Sequence, residues 1–309
     1  MNESINQTSP TFLTIKSGTS VSRFSTELVN KGWIKNRIWL RIYSRLYPPK
    51  VALKTGTFKI DANISLKALL SQLVEGKEHQ FSITFIEGTT FKEWLVQLKN
   101  APQLIQTFNN LSISKIADRL SIKNSNPEGW FFPDTYSYTA GTKDIELLSR
   151  SHKVMAEYLD GLWSKRAKEL PYKDAYQALT MASIIEKESG FSGELSLISS
   201  VFINRLNKRM RLQTDPTVIY GLGERYKGDI KRSHLQEKTP YNTYRINGLP
   251  PTPIAMPGLA ALTASFHPQK SPYLYFVSNA DGAHVFSSNL TDHNRAVRLY
   301  LAKMKTKHK

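Results

Sequence analysis

Residues 178–190, ALTMASIIEKESG, form an apolar run that ends in two carboxylates, Glu186 and Glu188. On a helix turning about 100° per residue, the two lie roughly 160° apart around the axis. They therefore cannot flank one bond together, which speaks against a glycosidase that uses this pair as its two carboxylates. Each sits at a margin of the apolar arc, Glu186 beside Leu179 and Ala182 and Glu188 beside Met181 and Ile184, while Lys187 points to solvent. A carboxyl on the edge of a buried face is partly desolvated, which raises its pKa and keeps it protonated near neutral pH. That is the state a general acid needs. Periodicity does not choose between the two, and a helix carboxylate more often simply ion-pairs with a base such as Arg205 or Lys187.

The elements that must hold this helix read from turn chemistry and period. Asp174 is placed to cap it and Gly190 to end it. A long helix over residues 144–170, stopped by Pro171, precedes it, and a third over 194–208 follows. Beyond that the chain is turn-rich, with Asp215-Pro216, Tyr241-Asn242 and a proline segment at 250–253. Residues 273–277 and 283–287 read as a hairpin around 279–282, and a last helix over 291–305 leads into a basic tail. Gln213, Asp215, Asn242 and Tyr244 are suited to holding sugar hydroxyls and amides, and Asn294 and His293 to lining a cleft. Asp215 serves equally as a helix cap, and Trp130, Phe131 and Phe132 more often pack a core than stack on sugars.

Upstream, residues 12–15 read as a strand, followed by a turn at 17–19 and an amphipathic helix carrying Val21, Phe24 and Leu28 that Gly32 ends. A basic, aromatic helix over 34–47, a Pro48-Pro49 break, a strand at 56–60 and a helix at 65–73 follow. Residues 81–85 alternate like a half-buried strand, Glu87-Gly88-Thr89 makes a turn, and Thr90 with Glu93 forms a capping box ahead of Phe91, Trp94, Leu95 and Leu98. Residues 99–127 read as a mixed helical connector. The strand–turn–helix–helix–strand unit over 12–60 resembles a small LysM-like module, a fold often used to grip N-acetylglucosamine polymers.

The 309 residues carry 42 Lys and Arg against 25 Asp and Glu, a net charge of +17. That excess favours a polyanionic partner: nucleic acid, an anionic lipid surface or an acidic wall polymer. No recognition-helix pattern, zinc knuckle or aromatic single-strand platform accompanies the charge, so nucleic acid is not the expected partner. With no cysteine, thiol catalysis and disulfides are excluded. The seven histidines show no H-x-x-x-H spacing and no phosphate-binding Gly fingerprint occurs, so neither metal nor cofactor is expected. No stretch reaches the ~20 apolar residues that span a bilayer, and residues 1–10 are polar.

Longer motifs add what spacing leaves open. ASIIEKE at 182–188, VFINRL at 201–206 and MRLQTDPTVIYG at 210–221 closely resemble the YceG-like endolytic murein transglycosylases. So do EGW at 128–130, FPDTY at 132–136, YNTY at 241–244 with GLPP at 248–251, and a closing block of residues 273–277, Gly282, His284, Phe286 and His293-Asn294. The resemblance implies an α+β protein, a LysM-like membrane-proximal module over 1–80 followed by a catalytic domain over 81–309. It implies that Glu186, the first Glu of the Glu-Lys-Glu run, is the catalytic residue, with Glu188 as runner-up or structural partner. Implied too are cleavage of the β-1,4 bond between N-acetylmuramic acid and N-acetylglucosamine with a 1,6-anhydro product, and peptidoglycan strands as substrate. Peptidoglycan synthases are the expected partners, and an inner-membrane anchor preceding this portion is expected to keep it on the periplasmic side. The competing readings are a non-catalytic wall-binding protein and a nucleic-acid binder.

Overall fold

The computed structural model describes residues 4–122 and 125–307. The first three residues of the polar start, Lys123 and Asn124 of the connector, and the end of the basic tail lie outside the described residues. The chain divides into two compact units, one of Met1–Ile83, Ala101–Ile105 and Tyr136–Lys143, the other of Thr84–Asn100, Gln106–Thr135 and Asp144–Lys309.

The first unit is built on strand β1 (Thr11–Ile15), helices α1 (Val21–Asn30) and α2 (Ile38–Leu46), strand β2 (Gly56–Ile60) and helix α3 (Leu66–Glu75). This is the strand–helix–helix–strand order read from the sequence. β1 and β2 pair antiparallel from Thr11 opposite Ile60 to Ile15 opposite Gly56. Ser20 and Ser65 cap α1 and α3 by accepting the backbone N–H groups of Arg23 and Ala68, each at 3.2 Å. The alternate residues Leu13 and Ile15 of β1 meet Phe24, Leu28, Leu40, Phe58, Leu69 and Leu73 in one core. Each such aliphatic side chain removed from water contributes roughly 1.5–3 kcal/mol, and it is this burial that holds helices too short to persist alone.

Strand β3 (Phe81–Thr84) pairs with β4 (Thr135–Tyr138), and α4 (Phe91–Asn100) and α5 (Ile113–Arg119) lie between them in sequence. The capping box at α4 is closed in both directions: Glu93 accepts the N–H of Thr90 at 2.7 Å, and Thr90 Oγ1 accepts the N–H of Glu93 at 3.4 Å.

The second unit centres on α7 (Ala175–Glu188), which packs against α6 (Asp144–Ser164), α8 (Leu195–Asn207), α9 (Asp215–Leu222) and α11 (Leu259–Phe266). A short α10 (Arg232–Gln236), the hairpin β5 (Tyr275–Ser278) with β6 (His284–Ser287), and α12 (Leu290–Lys307) complete it. All eight residues from Ala178 to Ile185 are buried, so α7 is enclosed rather than lying with one face on a core. Its two polar interior residues bond locally: Thr180 Oγ1 to the Tyr176 carbonyl at 2.9 Å, and Ser183 Oγ to the Thr180 carbonyl at 2.7 Å.

Two expected helix ends differ. α6 stops at Ser164, not at Pro171, because Ser164 Oγ and the Arg166 guanidinium take the carbonyls of Gly161 and Trp163, and the Ala167 N–H goes to Phe266 of α11. α7 is ended by Ser189 in an extended conformation, with no left-handed turn at Gly190. Among the described residues no helix is long and apolar enough to cross a membrane.

Candidate active site

Glu186 stands where α7 leaves the core, half-buried, one residue after the fully buried Ile185. Its Oε2 accepts the backbone N–H of Gly258 at 3.0 Å. Gly258 is the N-cap of α11, so the carboxyl meets the positive end of that helix. Oε1 has no hydrogen-bond partner among the described residues and looks onto Gly88, whose missing side chain leaves room: a Cβ there would lie 3.9 Å from Oε1. Burial raises the Glu186 pKa. The Gly258 N–H opposes this, the Glu87 charge adds to it, and the Lys187 ammonium again opposes it.

Lys187 does not simply point to solvent. Exposed as it is, its Nζ donates to the Gly88 carbonyl at 3.0 Å and so ties the 87–89 turn to α7. The turn is fixed from its other side by the Gly88 N–H to the Met256 carbonyl at 2.8 Å and the Met256 N–H to the Thr89 carbonyl at 2.9 Å. Glu87, by sequence only part of a turn, thereby comes to rest on Gly258. A Cβ on Gly258 would overlap the Glu87 carboxyl and stand 2.9 Å from its Cγ. Two carboxyls therefore share one glycine, Glu186 at its N–H and Glu87 over its Cα. From Glu87 a groove of about 530 Å³ runs along Ser192, Ser196, Leu259, Thr263 and His267.

Glu188 faces a different neighbourhood. Its Oε1 accepts the hydroxyl of Thr214, and burial pushes its pKa up to about 7, with Asp215 adding to the rise and the Thr214 bond, His284 and Arg205 opposing it. No salt bridge to Glu186 or Glu188 forms among the described residues. Arg205, one of the two bases named for such a pair, is buried and donates to the carbonyls of Leu274 at 2.6 Å, Leu212 at 2.7 Å and Arg211 at 3.4 Å. Thr214 is the N-cap of α9 by backbone position, but its side chain serves Glu188. Asp215 is the first residue inside α9, not the cap, and accepts the Tyr244 hydroxyl at 2.7 Å. Glu188, Thr214, Asp215 and Tyr244 thus form one polar cluster, separate from the partners of Glu186.

Gln213 is exposed, its backbone left-handed at φ 51°, a conformation rare for a non-glycine residue. Its N–H is held by the Thr243 carbonyl at 3.2 Å. Asn242, expected to hold sugar groups, is instead committed to the protein. It is buried, its amide donates to the carbonyls of His234, Leu235 and Glu237, and its Oδ1 accepts the Tyr244 N–H at 3.0 Å. A side chain with its donors and acceptor so used has nothing to offer a ligand. Asn294 is exposed on α12, and its side chain bonds no described residue. His293 lies against the Tyr275 ring at 5.0 Å, and burial and Arg205 lower its pKa.

Phe131 and Phe132 are core residues, and Trp130 stacks on Tyr176 at 5.4 Å. Just before them Glu128 is buried, accepting the N–H of Phe91 at 2.9 Å and the Tyr220 hydroxyl at 3.1 Å. Burial pushes its pKa up to about 7. Among the described residues no cluster of three or more His, Asp or Glu is placed to hold a metal ion.

Known proteins match this architecture along nearly its whole length. The chain is 31% identical to an endolytic murein transglycosylase of Bacillus subtilis over 94% of its own residues and 84% of that protein. It is 29% identical to an endolytic murein transglycosylase of Streptococcus pneumoniae over 92% of its residues, spanning 57% of that longer protein. The crystal structure of a YceG-like protein from Listeria monocytogenes, 30% identical, superposes with a TM-score of 0.58 over 93% of this chain and 98% of that one. With the YceG-like family model matching residues 13–299, the chain belongs to the YceG-like family.

Proposed function

We propose that this chain is an endolytic lytic transglycosylase that cuts peptidoglycan strands at the β-1,4 bond between N-acetylmuramic acid and N-acetylglucosamine. The observation that carries the reading is Glu186. It is a desolvated carboxyl with one oxygen tethered to Gly258 and the other bare, in a chain 31% identical to a protein named for this activity.

In the proposed reaction the protonated carboxyl gives its proton to the glycosidic oxygen as the C1–O bond breaks, and the bond's electrons leave with that oxygen. The 2-acetamido oxygen of the muramic residue supports C1, as in the substrate-assisted exceptions to two-carboxylate catalysis. The Glu186 carboxylate then removes the proton of the C6 hydroxyl, whose oxygen closes on C1 and displaces the acetamido oxygen. The acid is regenerated, a 1,6-anhydro ring is formed, and no water is consumed. Burial favours the protonated form at the start, and the Gly258 N–H steadies the carboxylate that exists between the two steps.

We also propose a LysM-like glycan-gripping module in the first unit, an inner-membrane anchor ahead of it in sequence and action at the outer face of that membrane. Termination of nascent strands beside the synthases is the corresponding role. The β1–α1–α2–β2 order supports the module. Digestion of polymeric murein followed by mass spectrometry tests the reaction. Anhydromuramyl ends from the wild type and none from a folded Glu186→Gln variant are expected. Reducing muramic ends would make it a hydrolase, and binding without any product would make it a wall-binding protein.

A further inference from the structure

Helix α2 carries two apolar faces and can bury only one of them in its own unit. Leu40 is fully buried and Tyr43 packs on the same core. At about 100° per residue, Ile38, Ile42, Leu46 and Trp39 fall within an arc of about 100° on another side. These four are left in water: Trp39 is 71% exposed, Leu46 67%, Ile38 58% and Ile42 44%. Large apolar side chains grouped in this way mark a contact surface far more often than the same residues scattered singly.

The flank of that strip is a row of arginines, Arg37, Arg41 and Arg45, all exposed. Among the described residues none of them meets a carboxylate; Arg37 reaches only the Thr26 hydroxyl, at 3.3 Å. The surrounding sequence is one-signed. From Glu27 to Asp61 there is no acidic residue, while Lys31, Lys35, Arg37, Arg41, Arg45, Lys50, Lys54 and Lys59 fall between them. Tyr47, 48% exposed, continues the aromatic content past the helix end with Lys50 over its ring at 5.0 Å.

A basic amphipathic helix with exposed Trp and Ile next to Arg has the composition of an element that lies in a bilayer interface. There the apolar side chains enter the acyl boundary and the guanidinium groups meet lipid phosphates. Each cation close to an anionic leaflet adds to the attraction. Murein could stack a sugar on the tryptophan and offer stem-peptide carboxylates to the arginines, but it would leave Ile38, Ile42 and Leu46 in water. A second copy of the chain would bring the same positive strip against itself.

We propose that α2 is a membrane-surface contact. Ile38, Trp39, Ile42 and Leu46 enter the interface of an anionic bilayer while Arg37, Arg41 and Arg45 bind its headgroup phosphates. The inference is independent of the reaction proposed above, since no residue of α2 belongs to the Glu186 site.

The test is sedimentation of the full chain with phosphatidylglycerol vesicles and with phosphatidylcholine vesicles, together with quenching of tryptophan emission by brominated acyl chains. Binding to the anionic vesicles is expected, at least tenfold stronger than to the zwitterionic ones. The quenching should vanish in Trp39→Phe, although four other tryptophans remain. Trp39→Ser with Ile42→Ser, which leaves the net charge unchanged, should weaken binding tenfold or more. Replacing Arg37, Arg41 and Arg45 by Gln should weaken it further than replacing Lys168, Lys208 and Lys227 by Gln, a change of equal charge elsewhere on the surface. All these side chains are exposed, so melting temperatures should hold. Absence of binding, equal loss in the two triple variants, or quenching that persists in Trp39→Phe would overturn the proposal. So would loss of self-association or of murein affinity, rather than vesicle binding, in the Trp39→Ser, Ile42→Ser protein. Murein digestion in solution is read separately, and its outcome does not bear on the vesicle result.

Discussion

The backbone N–H of Gly258 reaches Glu186 Oε2 at 3.0 Å, while the Glu87 carboxyl occupies the space a side chain on Gly258 would need. In Gly258→Ala the hydrogen bond survives, because the amide is retained, but Glu87 must swing away. Glu87 is exposed, with room in solvent for another rotamer, so the fold should lose less than about 1 kcal/mol. The cleavage rate should fall about tenfold or more through the altered environment of Glu186. Product release rates and a thermal melt on the same sample separate the two effects.

The neighbours of Glu186 push its pKa in opposite directions, so the pH–rate profile should move in opposite directions as well. Glu87 raises it, hence on the proposed reaction Glu87→Gln should shift the alkaline limb, where Glu186 loses its proton, to lower pH. Lys187 lowers it, hence Lys187→Met should shift that limb to higher pH, with an added loss of rate because the Gly88 carbonyl is released. Limbs that do not move, or that move together, would show that these charges do not tune the acid.

Thr214 gives Glu188 its hydrogen bond and opposes the rise in its pKa. Thr214→Val should cost about 1–3 kcal/mol above pH 7, where the buried carboxylate is left without a donor. The cost should shrink toward pH 5, where the carboxyl is neutral. Chemical denaturation at the two pH values measures the difference.

Asn242→Ala strips three carbonyls of a donor and the Tyr244 N–H of its acceptor. A loss of about 2–4 kcal/mol is expected, with Tm falling by several degrees. Activity per folded molecule should stay within a few fold. A large rise in KM with unchanged Tm would return Asn242 to the substrate.

Glu128 has a folded-state pKa of about 7 against 4.5 for the ordinary carboxyl. A carboxyl raised in this sense favours folding below the lower value and loses that contribution as pH rises through the higher one. The wild type should therefore gain stability as pH falls from about 8 to about 5, up to about 3 kcal/mol from this group. Glu128→Gln should flatten that slope, as read from ΔG of unfolding across the range.

What was legible in the sequence is what depends on near neighbours. The Thr90–Glu93 capping box, the Asp174 cap and the apolar run of α7 are written within a few residues of each other, and the strands of the hairpin announce their own turn. The partners of Glu186 are not written locally: Gly258 is 72 residues away, and the carbonyl that takes Lys187 belongs to a residue 99 away. Glu87 in a turn looks like any surface carboxylate until that packing brings it to Gly258. The commitment of Asn242 to the protein is hidden for a related reason, since a polar residue in a turn-rich stretch binds nearby carbonyls as readily as a sugar. α6 ended early because Phe266, some hundred residues on, took the Ala167 N–H that one more turn of helix would have used.

The unequal oxygens of Glu186 bear on stereochemistry. With Oε2 tethered and Oε1 bare beside Gly88, the carboxyl has a single address at which a proton can be handed over. In a β-linked D-pyranose the glycosidic oxygen and the C5 hydroxymethyl group project from the same face of the ring. One fixed oxygen can thus serve the departing atom and then the arriving one, with neither the carboxyl nor the ring changing sides. On the proposed reaction, retention at C1 and an intramolecular product are two expressions of one half-occupied carboxylate.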